Sequence, residues 1–184
     1  MASKDPLVWI DCEMTGLDAE KDTIMSIACF VTDYDLNLLD EEGFAVTIHH
    51  SKEQLARMGE WCTKHHGESG LTKACIDSTT TAEAAAQGLL GYIQTHVPKP
   101  RCALLAGNSV HADKGFLSKA PYNTTIDYLH YRILDVSTIK EAARRWAPED
   151  TLKNIPKKKM LHKARADILE SIAEAKFYRE TFFK

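Results

Sequence analysis

Asp11-Cys12-Glu13 places two carboxylates two residues apart, directly after the apolar run Leu7-Val8-Trp9-Ile10. If that run is a strand, residues i and i+2 share a face, so both acids project together from its end. Side by side near apolar surface they repel unless a cation sits between them. An all-oxygen donor set selects hard ions such as Mg2+ or Mn2+ over zinc or copper. Read alone, the pair is more often two solvated loop acids.

Two further constellations matter. In Gly107-Asn108-Ser109-Val110-His111-Ala112-Asp113 a short apolar strand runs into a helix, the kind of junction where α/β proteins place ligands. Asp113 there is either a ligand or an ordinary first-turn helix acid. In His162-Lys163-Ala164-Arg165-Ala166-Asp167, a helix starting near Ala164 puts Asp167 in its first turn and His162 just ahead of it. Histidine suits a general base near neutral pH, its ordinary pKa being about 6.5. With eight histidines in the chain, that pair by itself decides little.

Together, and in this order, Asp-x-Glu, the junction Asp and His-x4-Asp resemble the DEDDh family of 3′→5′ exonucleases. Four longer stretches narrow the likeness to the oligoribonuclease family: Trp9–Leu17, Trp61-Cys62 through Ser69-Gly70-Leu71, Gly107-Asn108-Ser109, and His130–Glu141. Asp113–Leu117, preceded by Ser109-Val110-His111, is closer to its eukaryotic branch. The resemblance implies an RNase-H-like fold and two divalent ions, Mg2+ or Mn2+, held by Asp11, Glu13, Asp113 and Asp167. It implies His162 as the base that deprotonates the attacking water. The implied reaction removes nucleoside 5′-monophosphates from short RNA, dinucleotides above all.

Other roles also come from the resemblance. Leu17 and Trp61 wedge or stack against bases, since an aromatic face accepts any base; the alternative for Trp61 is a core aromatic. Ser109, Arg132, Ser137 and Thr138 cap a terminal 5′ phosphate, Arg offering a planar fork and the hydroxyls lying at a helix start. Asp135 holds that loop or caps the helix. Tyr131 is a catalytic candidate reaching a partner subunit's site, or a packing residue, and His66 is a substrate contact. A homodimer is implied as well. Two alternatives remain: a DEDDh exonuclease acting on longer RNA or DNA ends, and an inactive nucleic-acid-binding module on the same fold.

The elements that must position these residues follow from periodicity. Strands are expected at Leu7–Asp11, Ile24–Thr32 and Phe44–His49, forming an antiparallel meander, and a fourth at Arg101–Gly107. Helices are expected over Thr81–Val97 with Thr81 as cap, around Ala112–Ser118, over Val136–Trp146 and over Ala164–Phe183. In the third, Thr138 and Glu141 form a capping-box signature, and Ile139, Ala142, Ala143 and Trp146 make the apolar face. The fold class is therefore α/β: a mixed sheet, three-stranded meander plus parallel strands, flanked by helices. One exonuclease domain over residues 1–184 is expected from the length.

Composition bounds the rest. The net charge is −3, whereas a protein that grips long nucleic acid normally carries a basic surplus. A substrate with few phosphates escapes that objection. Lys157-Lys158-Lys159 reads most economically as a solvated loop, the alternative being a guide for phosphates. No apolar run reaches the roughly 18 residues a membrane span needs, and Met1–Pro6 reads as neither a signal nor an Arg-rich transit peptide. Five cysteines without Cys-x-x-Cys spacing read as buried thiols in a reducing compartment, cytoplasmic or mitochondrial.

Overall fold

A computed structural model describes residues 4–156 and 164–183. The elements run β1 (Leu7–Met14), β2 (Ile24–Thr32), β3 (Phe44–Thr47), α1 (Lys52–Leu55), α2 (Glu60–Glu68), α3 (Leu71–Asp77), α4 (Ala82–His96), β4 (Leu104–Gly107), α5 (His111–Leu117), α6 (Asn123–Tyr128), β5 (His130–Asp135), α7 (Val136–Trp146), α8 (Glu149–Leu152) and α9 (Ala164–Phe182). The sheet order is β3-β2-β1-β4-β5. β1–β2 and β2–β3 pair antiparallel, while β1–β4 and β4–β5 pair parallel. The expected meander and mixed sheet are both present.

Strand parity sorts the side chains of β1. Val8, Ile10 and Cys12 enter one core with Ala85, Ala86, Leu89 and Ile93 of α4 and Phe116 and Leu117 of α5. Leu7 and Trp9 enter the other, beneath Val136 and Ala143 of α7 and Ile168, Ile172, Ala175 and Tyr178 of α9. Asp11 and Glu13 continue the second row. The face that buries apolar groups along most of β1 thus turns acidic where α9 begins.

Several expectations need correction. β1 runs on to Met14, so both acids lie within the strand, while β3 stops at Thr47 and β4 begins only at Leu104. Arg101 breaks the earlier part of β4 with a left-handed backbone, φ 63°. α7 is capped by Asp135, one of the two roles expected of it, its side chain accepting from the Ser137 N–H; the Thr138–Glu141 box is not used. Trp146 is 80% exposed rather than in the core, because α7 ends there and hands on to Ala147. Cys62 and Cys102 are only half-buried, although all five thiols are free. Strand β5 and the helices between β3 and α4 were not foreseen as elements. Among the described residues, no helix is long and apolar enough to cross a membrane.

The β1–β2 turn presents Leu17, and Asp22 organises it. The Asp22 carboxylate accepts from Thr15 Oγ1 at 3.0 Å and from the Asp18 N–H at 2.9 Å. A Cβ on Gly16 would lie 2.3 Å from Asp22 Oδ2, so only glycine lets the carboxylate stay. Gly16→Ala should cost about 1–2 kcal/mol through those hydrogen bonds, lowering the melting temperature by roughly 2–8 °C. A melt superimposable on the parent's would mean that Asp22 can swing aside freely.

Candidate active site

The C-terminal ends of β1, β4 and β5 lie on one edge of the sheet, where parallel strands present their loops to a ligand. From β1 come Asp11 and Glu13, and from the first turn of α9 comes Asp167. Their carboxylate oxygens lie within 4.8 Å of one another. Residues 154 positions apart in sequence are brought together because the acidic row of β1 faces the helix that carries Asp167.

Asp113 completes the acidic edge in a different manner. It is buried in the first turn of α5, and its Oδ1 accepts the Cys12 N–H at 2.9 Å. β1 pairs with β4 only as far as Trp9–Ala106, so this carboxylate takes up a strand N–H past the end of that pairing. Asp113 therefore buttresses the strand segment between Asp11 and Glu13 and lies outside the three-acid group.

Burial and crowding raise the proton affinities. The Glu13 carboxyl is pushed up to about 7, first by burial and then by the negative charges of Asp167 and Asp113. Asp113 is raised to about 6 by burial, against the lowering effect of the Cys12 N–H. Carboxyls that resist ionisation next to one another favour a divalent cation, and oxygen-only donors fit a hard one. The residues present fit a metal centre.

Next to the acids, Met14, Gly16, Leu17, Trp61, Cys62 and His66 line an apolar cleft of about 450 Å3. Leu17 is 92% and Trp61 58% exposed, so Trp61 is not a core aromatic. Its ring stacks on His65 at 3.9 Å between centroids. His66 is buried with Nε2 2.9 Å from the Met14 carbonyl, tying α2 to the end of β1. A second hollow, of about 230 Å3, opens beside Glu13 between Ser26, Ser69, Gly70 and Leu71.

On the other side of the acids, Ser109 and Ser137 meet. The Ser109 N–H donates to Asp135 Oδ1 and to Ser137 Oγ, both at 2.9 Å, and the two hydroxyls are 3.2 Å apart. Thr138 lies exposed in the first turn of α7. Arg132 is exposed, its guanidinium 5.2 Å over the Tyr131 ring, and Tyr131 is itself 67% exposed. Ser109 and Ser137 are in contact, then, while the Arg132 guanidinium lies over the Tyr131 ring. His162 and Lys157–Lys159 lie outside the described residues. Asn108, which no sequence signal beyond its place in the Gly-Asn-Ser motif marked, links Ser137 to α9 (Ser137 Oγ to Asn108 Oδ1, 3.1 Å).

An exonuclease family model matches residues 8–175. Over 178 residues the chain is 51% identical to the mitochondrial oligoribonuclease of Mus musculus, covering 97% of this chain and 73% of that one. It is 48% identical to the oligoribonuclease of Rhodococcus jostii over 180 residues, covering 98% and 89%. The chain belongs to the oligoribonuclease family.

The family's fold extends to more distant proteins. E. coli exonuclease I in complex with a dT13 oligonucleotide superposes with a TM-score of 0.72 at 16% identity over 96% of this chain. A zinc-bound complex of the same enzyme with single-stranded DNA gives 0.72 at 14% over 99%. This chain spans only about two-fifths of those proteins, 41% and 42%, so the likeness is one of fold.

The raised carboxyls fix a sign for pH. Between the ordinary carboxylate values, 4.5 and 3.8, and the raised ones near 7 and 6, the folded metal-free protein holds more protons than the unfolded chain. Its stability should fall as pH rises through that window and level off above about 7. Melting curves from pH 4.5 to 8 in chelator, repeated with Glu13→Gln, test this. An undiminished pH slope in the variant would remove Glu13 as the source.

Proposed function

We infer that this chain is a 3′→5′ exoribonuclease that degrades short oligoribonucleotides, dinucleotides above all, to nucleoside 5′-monophosphates. The observation that carries the reading is the gathering of Asp11, Glu13 and Asp167 at the end of β1, beside an apolar base-sized cleft, in a chain half identical to oligoribonucleases. Residues 1–184 are read as one exonuclease domain.

Asp11, Glu13, Asp113 and Asp167 are assigned to two divalent ions, Mg2+ or Mn2+. When bound, such ions would polarise the scissile phosphodiester and stabilise the charge that develops as water attacks and the sugar oxygen leaves. The chain's own residues do the rest. Leu17 and Trp61 hold the bases between an aliphatic and an aromatic wall, and His66, which lines the same cleft, contacts the substrate there. Ser109, Arg132, Ser137 and Thr138 hold the terminal 5′ phosphate. His162, two positions ahead of Ala164 in the sequence, takes the proton of the attacking water.

A homodimer belongs to the same reading. Exposed Tyr131, and a groove of about 330 Å3 edged by Ile139, Trp146, Phe182 and Phe183, supply apolar surface for a second copy. The location read from the free thiols and the curated relatives is intracellular, cytoplasmic or mitochondrial.

Two sets of outcomes test this. Asp11→Asn, Glu13→Gln, Asp113→Asn and Asp167→Asn should each abolish Mn2+-dependent turnover of a labelled dinucleotide. His162→Ala should lose about 10²–10⁴ in rate, the worth of a positioned base. Full activity in excess chelator would sink the metal assignment.

Length preference is the second. A protein of net charge −3 gains little from counterion release on long RNA, so a few placed contacts must supply affinity. Competition binding across two to seven nucleotides should rank 5′-phosphorylated dinucleotides first. Arg132→Ala should weaken them by roughly 1.5–3 kcal/mol, the worth of a charge-assisted hydrogen bond. A heptamer that competes as well as the dimer would point instead to a nuclease of longer ends.

A further inference from the structure

Beneath the acidic strand end runs a chain of polar groups whose middle members, Asn108 and Ser171, take no part in the proposed reaction. The Ser109 N–H donates to Ser137 Oγ (2.9 Å), and Ser137 Oγ donates to Asn108 Oδ1 (3.1 Å). Asn108 Nδ2 donates to Ser171 Oγ (2.7 Å), and Ser171 Oγ donates to the Asp167 carbonyl (2.7 Å). One end of the chain is the phosphate cap, and the other is the backbone of a metal-site acid.

Glu174 sets its direction. This carboxylate is 1% exposed, and its Oε1 accepts from Tyr178 OH at 2.9 Å with Lys140 Nζ 3.6 Å away. A carboxylate only accepts, so the Asn108 amide must turn its nitrogen toward Oε2, at 3.4 Å, and its oxygen toward Ser137. A hydroxyl has one hydrogen. That of Ser137 is spent on Asn108, and Ser137 cannot donate it to a phosphate without releasing the amide.

We propose that Asn108 is a positioning residue coupling occupation of the terminal-phosphate pocket to the placement of Asp167, with the Ser137 hydroxyl as the switch. The proposal rests on the reading that Ser109 and Ser137 cap a 5′ phosphate. When the phosphate draws the Ser137 hydrogen, Asn108 loses a donor and resettles against Ser171 and Glu174. The first turn of α9 follows through the Asp167 carbonyl. Small shifts suffice, because misplacing a reacting group by about 1 Å costs on the order of a hundredfold in rate. The terminal phosphate then acts on kcat as well as on KM, and the right readout is an energetic coupling rather than a path of contacts.

Ser171→Ala tests the link with little disturbance: Asn108 Nδ2 still faces Glu174, and the Asp167 carbonyl keeps its helical hydrogen bond. Rates are measured with Mn2+ on one dinucleotide with and without its 5′ phosphate. In the parent, the phosphate should lower KM and raise kcat about tenfold, within the usual range for coupled sites. In Ser171→Ala the KM effect should persist while the kcat ratio falls to about one. Asn108→Ala should do the same, so one poorly folding variant does not decide the matter. A kcat ratio preserved in both variants, or an equal loss of kcat on both substrates, overturns the relay, the latter being what a merely structural role predicts. A parent whose KM responds to the phosphate but whose kcat does not overturns the relay alone. A parent indifferent in both constants removes the cap reading and the relay with it.

Discussion

Asp11, Glu13 and Asp167 bring their carboxylate oxygens within 4.8 Å of one another at the end of the central strand. Like charges that close repel strongly in a partly buried site, where the effective dielectric is far below that of water. The fold tolerates this because the cost falls where two well-packed elements meet. Trp9, fully buried in the same row of β1, donates Nε1 to Thr32 Oγ1 at 3.0 Å, and the apolar row of α9 packs over it. The site is a local electrostatic debt carried by rigid neighbours, and a cation is its natural counterweight.

Polar groups behind the acids are satisfied one by one. Asp113 takes the N–H of Cys12, Asp135 takes those of Ser109 and Ser137, and Asn108 spans Ser137 and Ser171. In a partly buried setting an unpaired polar group is costly, so such a network holds its members in one geometry. It also joins strand ends that parallel pairing alone would leave as separate loops. The Gly107–Asp135 register sets the two loops side by side, and the side chains then bind them.

Exposed apolar groups flank this polar floor. Leu17 and Trp61 remain open to solvent although each would gain from burial. Each is held by its backbone setting: Leu17 by the Asp22-centred turn, and Trp61 by its place in α2 and its stack on His65. Apolar walls presented on rigid supports suit planar bases and impose no sequence preference.

Much of this was legible in the residues. The parity of β1 placed Asp11 and Glu13 on one face, and the spacing of Ile168, Ile172 and Ala175 marked the apolar face of α9, leaving Tyr178 and Phe177 as alternatives for its next turn, of which the fold buries Tyr178 fully. Thr81 capped α4 as its type and position required (Thr81 Oγ1 accepting from the Ala84 N–H). These features are local, set by a period of two or 3.6 residues. What the tertiary structure alone decided depends on partners far apart in the chain. Asp135, not Thr138, caps α7 because its carboxylate also meets the Ser109 N–H across the strand ends. β5 forms only because β4 is there to pair with it, its own sequence showing no clean alternation. Asn108 gained its place only when Ser137 and Ser171, 29 and 63 residues away, closed around its amide. Local periodicity dictates which way a side chain points; only the packed fold determines what it meets there.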